Sequence, residues 1–247
     1  MNFKNKIVLV TGGSSGIGKV TVDLFVKNQA TVINLDINKP KNLLTGVKFY
    51  NIDVSNEQNV IDCVSDIVHK YEKIDILVNS AGVTARNALE NNPTDYDIWK
   101  RVLEVNLNGT YLVSREVVKN MIDNKNGSIV NLSSIMGQVV YPDLLNSLTS
   151  PYPSSKGGVL QYTKNLASHV AKNGVRVNCV SPAFINTDLT KNILEDEFIG
   201  TKLKDRTPMN RFGTPEEVAN VILFLSSDLS SYITGADIPV DGGYLIL

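Results

Sequence analysis

The sequence has few of the residues on which metal-binding and disulfide-stabilised proteins depend. Its 247 residues include two cysteines and two histidines, too few and too widely spaced to suggest a disulfide framework or a metal cluster. Cys63 and Cys179 both lie in apolar segments, so we expect them to be packing residues. His69 and His169 fall in helical segments without a second ligand at metal-binding spacing. We therefore predict no metal site.

The sequence also lacks an excess of either charge and any long apolar run. Twenty-four basic and 25 acidic residues give a formal net charge of −1, and no sustained basic stretch indicates nucleic-acid binding. No apolar stretch approaches the roughly 18 residues that span a bilayer. Residues 1–6 lead directly into a strand-like segment, which leaves no room for a signal peptide. We expect a cytoplasmic protein that binds neither nucleic acid nor membrane.

Short β-branched segments alternate with longer amphipathic ones along the chain. The strand candidates are 7–11, 31–36, 47–52, 74–79, 128–133, 175–180 and 236–240. The helix candidates lie near 16–28, 56–71, 95–123, 152–172 and 214–227. The first six strands are almost continuously apolar, which is typical of a parallel sheet buried on both faces. The pattern predicts an α/β fold over residues 1–247: one Rossmann-like, doubly wound sheet of about seven strands with helices on both faces.

Two segments depart from this regular alternation. Only ten residues separate Asp36 from Val47, so we expect a stunted helix or an irregular link there. Residues 139–151 contain two prolines and predict a long loop. Residues 55–58 and 214–217 each predict a capping box at a helix start.

A glycine-rich segment, residues 11–18, directly follows the first strand and opens the first helix. Glycines allow a tight turn there and let the backbone approach a pyrophosphate at the helix amino terminus. An ordinary strand–helix turn is the alternative. The residues expected to bind a dinucleotide are Gly12, Ser14, Ser15, Gly16, Ile17 and Gly18.

An acidic residue, Asp36, ends the second strand. A carboxylate at this distance from the glycines accepts hydrogen bonds from ribose hydroxyls and repels a 2′-phosphate, which favours NAD over NADP. Asp36 could instead only cap a turn. Asp53 and Val54 close the third strand and could meet the adenine edge, although Asp53 could merely organise the turn before Ser55.

Tyr152 and Lys156 are spaced so that both side chains lie on one face of a helix, about one turn apart. An ammonium beside a phenol favours the phenolate, so we expect Lys156 to lower the pKa of Tyr152 from its reference of about 10. Such a tyrosine could donate and accept a proton near neutral pH. Pro153 suits the first helical position.

Several ordered motifs together resemble the short-chain dehydrogenase/reductase family over essentially the whole chain. They are the glycine-rich residues 11–18, Asn-Ser-Ala-Gly at 79–82, Asn106, Ser134 followed by Gly137, Tyr152 with Lys156, and Asp-Gly-Gly-Tyr at 241–244. The resemblance implies that Tyr152 is the acid/base and that Lys156 holds the nicotinamide ribose and tunes Tyr152. It implies that Asn106 positions a water of the proton relay.

The resemblance also implies further contacts with substrate and cofactor. Ser134 corresponds to the hydroxyl that binds the substrate oxygen; we choose it over Ser133 because the family serine precedes a glycine by three positions, as Ser134 precedes Gly137. The remaining residues expected at the cofactor are Asn79, Ala81, Gly82, Ile185 and Thr187.

This sequence departs from the family pattern in three places. Ser80 replaces an asparagine, and Ala183 replaces the glycine that usually follows Pro182. The spacing from Ser134 to Tyr152 is longer than usual, and the extra residues fall beside the expected substrate mouth. The role of this longer 138–151 loop and the identity of the substrate stay open.

The function implied is NAD-dependent interconversion of a secondary alcohol and a ketone, such as a sugar, polyol, cyclic alcohol or hydroxy/keto acid. NADP is the less expected cofactor. An NADPH-dependent 3-oxoacyl thioester reductase is the alternative within the family, disfavoured by Asp36, and an inactive NAD-sensing module is the alternative outside catalysis. Residues 187–212 correspond to a substrate lid, and Arg86 is expected at the surface rather than on a substrate carboxylate. The resemblance implies a homotetramer or homodimer.

Overall fold

A computed structural model describes residues 1–42, 44–89, 93–145 and 149–247. A parallel seven-stranded sheet runs through them in the order β3-β2-β1-β4-β5-β6-β7. The strands are β1 Ile7–Thr11, β2 Thr31–Asp36, β3 Val47–Asn51, β4 Ile76–Asn79, β5 Gly127–Leu132, β6 Val175–Pro182 and β7 Asp237–Val240. The strand order reverses between β1 and β4, where open α/β sheets bind ligands. The predicted doubly wound fold is confirmed.

Helices cover both faces of the sheet because successive strand residues point to opposite sides. The helices are α1 Gly16–Lys27, α2 Glu57–Tyr71, α3 Asp95–Leu103, α4 Gly109–Asp123, α5 Pro151–Val170, α6 Lys191–Leu194, α7 Glu197–Asp205 and α8 Pro215–Ser226. In β1, Leu9 packs in the core shared with α2, α4 and α5, whereas Val8 and Val10 pack in the core shared with α1 and α8. Each such fully buried side chain contributes about 1.5–3 kcal/mol.

The single helix predicted over residues 95–123 is interrupted. A π-helical turn, Glu104–Asn108, separates α3 from α4. Asn106 lies in this turn, and its side-chain amide hydrogen-bonds the backbone of Val83. These tertiary contacts at a site of poor helix formers account for the widened turn.

Two predicted helix starts are wrong by one or two residues. Asn56, rather than Ser55, is the N-cap of α2, because the Ser55 hydroxyl and N–H both bond Asp53 instead. Pro151, rather than Pro153, is the first residue of α5. Pro153 still fits the first turn, where backbone N–H groups have no helical acceptor.

The irregular segments agree with the predictions where the structure describes them. No helix forms between β2 and β3 in residues 37–42 and 44–46, and the capping box of Thr214 and Glu217 is confirmed. The predicted 139–151 loop contains a short 3₁₀ turn at Asp143–Leu145, and its residues 146–148 lie outside the described part.

Residues 1–42, 44–89, 93–145 and 149–247 contain neither a membrane-spanning helix nor a cluster of metal ligands. None of their helices combines the length and hydropathy needed to cross a bilayer. None of their His, Cys, Asp and Glu side chains gathers in a group of three that could hold a metal ion.

Candidate active site

A cavity of about 470 Å³ follows the carboxyl edge of the sheet from Asp36 to Tyr152. Most of the predicted site residues line it. They are Gly12, Ser15, Gly16, Ile17, Gly18, Asp36, Asp53, Val54, Ala81, Gly82, Ser134, Tyr152, Lys156, Ile185 and Thr187. Ser14, Asn79 and Asn106 are the predicted residues that do not belong to this lining.

The glycine-rich loop forms an anion cradle at the start of α1. A Cβ on Gly18 would lie 2.1 Å from the carbonyl oxygen of Gly12, so only glycine allows this close approach. Ser15 is the N-cap of α1, but its side chain makes no capping hydrogen bond, and the first turn carries no acidic residue. The free N–H groups and the helix dipole therefore suit the pyrophosphate of a dinucleotide.

Asp36 both organises the adjacent turns and lines the cavity. Its carboxylate accepts N–H bonds from Ser14 at 3.0 Å and from Asn38 at 2.9 Å. The Ser14 hydroxyl donates to the Asn38 carbonyl at 2.6 Å and accepts from buried Asn34 at 3.0 Å. Ser14 thus orients Asp36 instead of lining the cavity itself.

Asp53 is tied to Arg101, a cavity residue that sequence reasoning missed. Arg101 donates to the Asp53 carboxylate at 3.0 Å and to the Ser55 hydroxyl at 2.7 Å. Burial works against the charged carboxylate, but hydrogen bonds from Ser55 and Arg101 outweigh it and lower the pKa of Asp53. The pair is 48 residues apart in the chain, so no local pattern could have indicated it.

Asn79 lies inside the fold rather than at the cavity. Its amide donates to Ser114 and to Asn131, both at 2.8 Å, and so joins β4 to α4 and β5. The turn after β4 is positioned instead by Thr11, whose hydroxyl accepts the N–H of Ala81 at 3.1 Å. Thr11 is the first residue of the glycine motif, but its place in the motif does not indicate that its hydroxyl positions the turn after β4.

Lys156 is almost fully buried, with 5% of its surface exposed. Its ammonium donates to the carbonyl oxygen of Leu132 at 2.8 Å and lies 5.6 Å from the ring centre of Tyr152. Burial lowers the pKa of Lys156 to about 8, because the charged form loses solvation that one carbonyl replaces only in part.

Burial raises the pKa of Tyr152 to about 12, and a hydrogen bond with Ser134 acts weakly in the opposite direction. The expectation that Lys156 makes Tyr152 acidic is therefore wrong for the protein by itself. The Lys156 ammonium donates to the Leu132 carbonyl. Desolvation of the phenolate is the largest effect on the pKa of Tyr152.

The two candidate serines after β5 have different partners. The Ser133 hydroxyl donates to the Lys156 carbonyl at 2.8 Å and ties β5 to α5. Ser134 interacts with Tyr152, which favours it as the residue at the substrate. A Cβ on Gly137 would lie 2.9 Å from the Lys156 backbone, so the glycine three residues after Ser134 is needed for α5 to approach.

The Asn106 side chain is fully engaged and completely buried. Its oxygen accepts the Val83 N–H at 2.8 Å, and its nitrogen donates to the Val83 carbonyl at 2.9 Å and the Ser155 hydroxyl at 3.1 Å. Ser155, which sequence reasoning missed, donates in turn to the Tyr152 carbonyl at 2.7 Å. Asn106 therefore connects the π turn to the helix that carries Tyr152.

The segment after β6 is held by Thr190, another missed residue. Its hydroxyl accepts the Thr187 N–H at 3.2 Å and donates to the Ile185 carbonyl, which keeps Ile185 and Thr187 at the cavity. Ala183, which replaces the usual glycine, does not have a positive φ and donates its N–H to Val240 at 3.1 Å. The backbone path therefore needs no glycine there.

Comparisons with known proteins agree with this geometry. The family model described as enoyl-(acyl carrier protein) reductase matches residues 12–245. The chain belongs to the short-chain dehydrogenase/reductase family. Similar curated members include the 3-oxoacyl-(acyl-carrier-protein) reductase FabG of Thermotoga maritima, 44% identical over 100% of both chains. The NAD-dependent glycerol dehydrogenase of Listeria innocua is 36% identical over 99% of this chain and 96% of its own.

Solved structures of the short-chain dehydrogenase/reductase family also superpose on this chain. The aldohexose dehydrogenase of Thermoplasma acidophilum has a TM-score of 0.87 and 32% identity, and the match covers 99% of this chain and 96% of that one. The chain is therefore an oxidoreductase of this family, and such enzymes use nicotinamide cofactors.

Proposed function

We propose that this short-chain dehydrogenase/reductase reduces the 3-oxo group of an acyl thioester. The observation that carries the proposal is the placement of the Tyr152 phenol beside Ser134 in the cavity that begins at the dinucleotide loop. Such a phenol stays protonated at neutral pH and can give a proton to a ketone oxygen, as reduction requires. The reductase relative at 44% identity supports the alternative of the sequence analysis over its first choice.

Each site residue has a definite task in this reaction. The glycine loop and Lys156 would hold a reduced nicotinamide cofactor, which would supply the hydride for the carbonyl carbon. Ser134 donates a hydrogen bond to the substrate oxygen, and Tyr152 delivers the proton to it. Lys156 holds the nicotinamide ribose. The proposed role of Asn106 is to position a water of the proton relay; its side-chain amide is bonded at both ends, and its backbone carbonyl accepts a hydrogen bond from Thr110 at 2.8 Å.

The proposed cofactor is NAD(H) rather than NADP(H). Asp36 keeps further acceptor capacity on both carboxylate oxygens for ribose hydroxyls, and its charge opposes a 2′-phosphate. The glycerol dehydrogenase relative is NAD-dependent. The further residues proposed at the cofactor are those of the glycine loop, Asp53, Val54, Ala81, Gly82, Ile185 and Thr187, with Ser14 and Asn79 acting through their neighbours.

The test is a paired assay of nicotinamide absorbance. Acetoacetyl thioester, polyols, aldoses and cyclic ketones are each supplied with NAD(H) and with NADP(H). We expect the highest kcat/KM for the thioester with NADH. Turnover of polyols or sugars with no turnover of the thioester would reject the proposal. Asp36→Ala should lower the preference for NADH, since the repelling carboxylate is removed.

An NAD-dependent sugar or polyol dehydrogenase is the second candidate. Asp36 at the cavity favours it, as do the glycerol and aldohexose dehydrogenase relatives. Oxidation needs Tyr152 as a base, so this activity should rise steeply with pH toward the tyrosine pKa. A pure NAD-sensing role is disfavoured because a binder does not need Ser134 beside a buried phenol.

We further propose that residues 1–247 form a single domain with a substrate lid and that the protein assembles into an oligomer. Residues 187–212, which contain α6 and α7, would close over the substrate. A homotetramer, or a homodimer, would form through α3–α5 and the C-terminal strand, where Tyr111 is 43% exposed and the terminal Leu247 is 81% exposed. Such an enzyme would act in the cytoplasm, close to the nicotinamide pool.

A further inference from the structure

Apolar and aromatic side chains pack together beside Tyr152. Tyr244, Ile135 and Met136 are buried in one cluster, against which Tyr141, Tyr152 and Phe184 pack. The Phe184 and Tyr244 rings meet edge to face, with centres 5.6 Å apart.

Tyr141 comes from the loop that is longer than usual between Ser134 and Tyr152. Its ring centre lies 6.4 Å from that of Tyr152, with the ring planes at 31°. Tyr141 is partly buried, whereas the preceding Val140 is 82% exposed. The longer loop thus places one aromatic side chain beside the proton donor and leaves its neighbour in solvent.

The position of the reacting carbonyl restricts where its substituents can lie. A carbonyl oxygen that meets the hydroxyls of both Ser134 and Tyr152 places its carbon near the Tyr152 hydroxyl, and the Tyr141 ring lies beside the Tyr152 ring, tilted by 31°. Aromatic faces favour apolar groups. Sugar hydroxyls placed there would lose their water hydrogen bonds without gaining new ones.

We propose that Tyr141 is a specificity-determining residue, whose ring closes the substrate site beside Tyr152 so that the site accepts an apolar 3-oxoacyl chain and limits its length. The choice of an acyl thioester rests on the proposed function. The placement of Tyr141 rests on the loop and ring geometry alone. Burial also raises the pKa of Tyr141, so its phenol stays neutral across the working pH range.

The test uses 3-oxoacyl thioesters of increasing chain length, from about four to about ten carbons, since each added methylene adds apolar area. The readout is the ratio of kcat/KM for the longest chain to that for the shortest. We expect Tyr141→Ala to raise this ratio by about tenfold or more, the usual effect of a methylene-sized change in a pocket. Tyr141→Phe keeps the ring and should leave the ratio within about twofold.

Two controls separate this role from a general loss of structure. Val140→Ala alters the exposed neighbour in the same loop and should leave the ratio unchanged. Melting temperature and NADH binding by fluorescence should match the wild type in each variant. If Tyr141→Ala fails these checks, Tyr141→Leu replaces it, with a smaller expected rise in the ratio.

An unchanged ratio in Tyr141→Ala, or an equal change in Val140→Ala, would overturn the inference. If the wild type reduces no thioester, the proposed function fails, and methyl ketones of the same chain lengths then test Tyr141 alone. Their binding to the NADH complex, followed by cofactor fluorescence, gives the ratio where turnover is too slow. Better turnover of sugars than of apolar ketones by the wild type would also contradict the inference.

Discussion

At the candidate active site, burial shifts the pKa values of two neighbouring side chains. It raises the pKa of Tyr152 to about 12 and lowers that of Lys156 to about 8, so both groups shift toward the neutral form. A protonated phenol is suited to reduction of a ketone. The Leu132 carbonyl accepts a hydrogen bond from the Lys156 ammonium. It replaces only part of the hydration that the ammonium loses on burial.

Tyr152→Phe should abolish turnover and leave cofactor binding intact. The change removes only the hydroxyl, so kcat should fall about 10²–10⁴-fold, the usual contribution of a positioned proton donor. NADH fluorescence measures the binding. Tyr232→Phe, at a fully exposed tyrosine, is the matched control. Wild-type-like turnover of Tyr152→Phe would reject the acid/base role.

Lys156→Met should stabilise the cofactor-free protein at pH 7. The buried lysine has a pKa of about 8, against 10.5 for the reference lysine. Between these values the unfolded chain binds more protons, so wild-type stability rises with pH. The variant should be more stable by roughly 1–3 kcal/mol at pH 7, and the difference should shrink between pH 8 and about 10.

Urea unfolding at several pH values measures this effect. Lys164→Met, at an exposed lysine of the same helix, is the control. Its difference in stability from the wild type should not shrink as the pH rises. A Lys156→Met curve that runs parallel to the wild-type curve would show that burial does not shift the lysine pKa.

At the level of secondary structure, the ends of most elements follow from local chemistry, and the π turn follows from tertiary contacts. The Thr214 capping box needs only residues three apart. The π turn at 104–108 instead contains Asn106, whose partners, Val83 and Ser155, lie in two other segments. The turn links the residues after β4 to the helix of Tyr152.

Asn106→Ala should both destabilise the protein and impair catalysis. It leaves the partly buried N–H and carbonyl of Val83 without their protein partner, at a cost of about 1–3 kcal/mol for each group. The loss of the Ser155 contact should lower kcat more than it raises the KM for NADH. Chemical unfolding and steady-state kinetics measure the two effects.

Asn108→Ala is the matched control, because Asn108 lies in the same π turn with an exposed side chain. Its stability should stay within about 0.5 kcal/mol of the wild type. If both substitutions lower stability and kcat equally, the π turn itself accounts for the loss, rather than the side-chain contacts of Asn106.

At the level of the whole molecule, the sheet brings the glycine-rich loop and Tyr152 to one edge. The carboxyl ends of parallel strands lie together, so the loops after β1, β2, β4, β5 and β6 all contribute to one cavity. On the outer surface of α4, Tyr111 is 43% exposed and contacts Tyr162 of α5. This surface is where we propose that subunits meet.

Tyr111→Lys should reduce the assembled mass in solution. A charge at the centre of an apolar contact costs more than it gains when it is desolvated. Light scattering measures the mass, and Phe198→Lys on α7, at an exposed phenylalanine, should leave it unchanged. A monomeric wild type, or an unchanged mass in Tyr111→Lys, would contradict the proposed interface.

The sequence alone determined the doubly wound sheet, the bounds of β1 and β2, and about half of the residues that line the cavity. Apolar periodicity and glycine turns are local properties, so they can be read without coordinates. Only the tertiary structure decided the direction of the Tyr152 and Lys156 pKa shifts, the inward placement of Asn79, and the role of Arg101. Protonation depends on how deeply a group is buried, and hydrogen bonds between distant segments depend on how the chain packs.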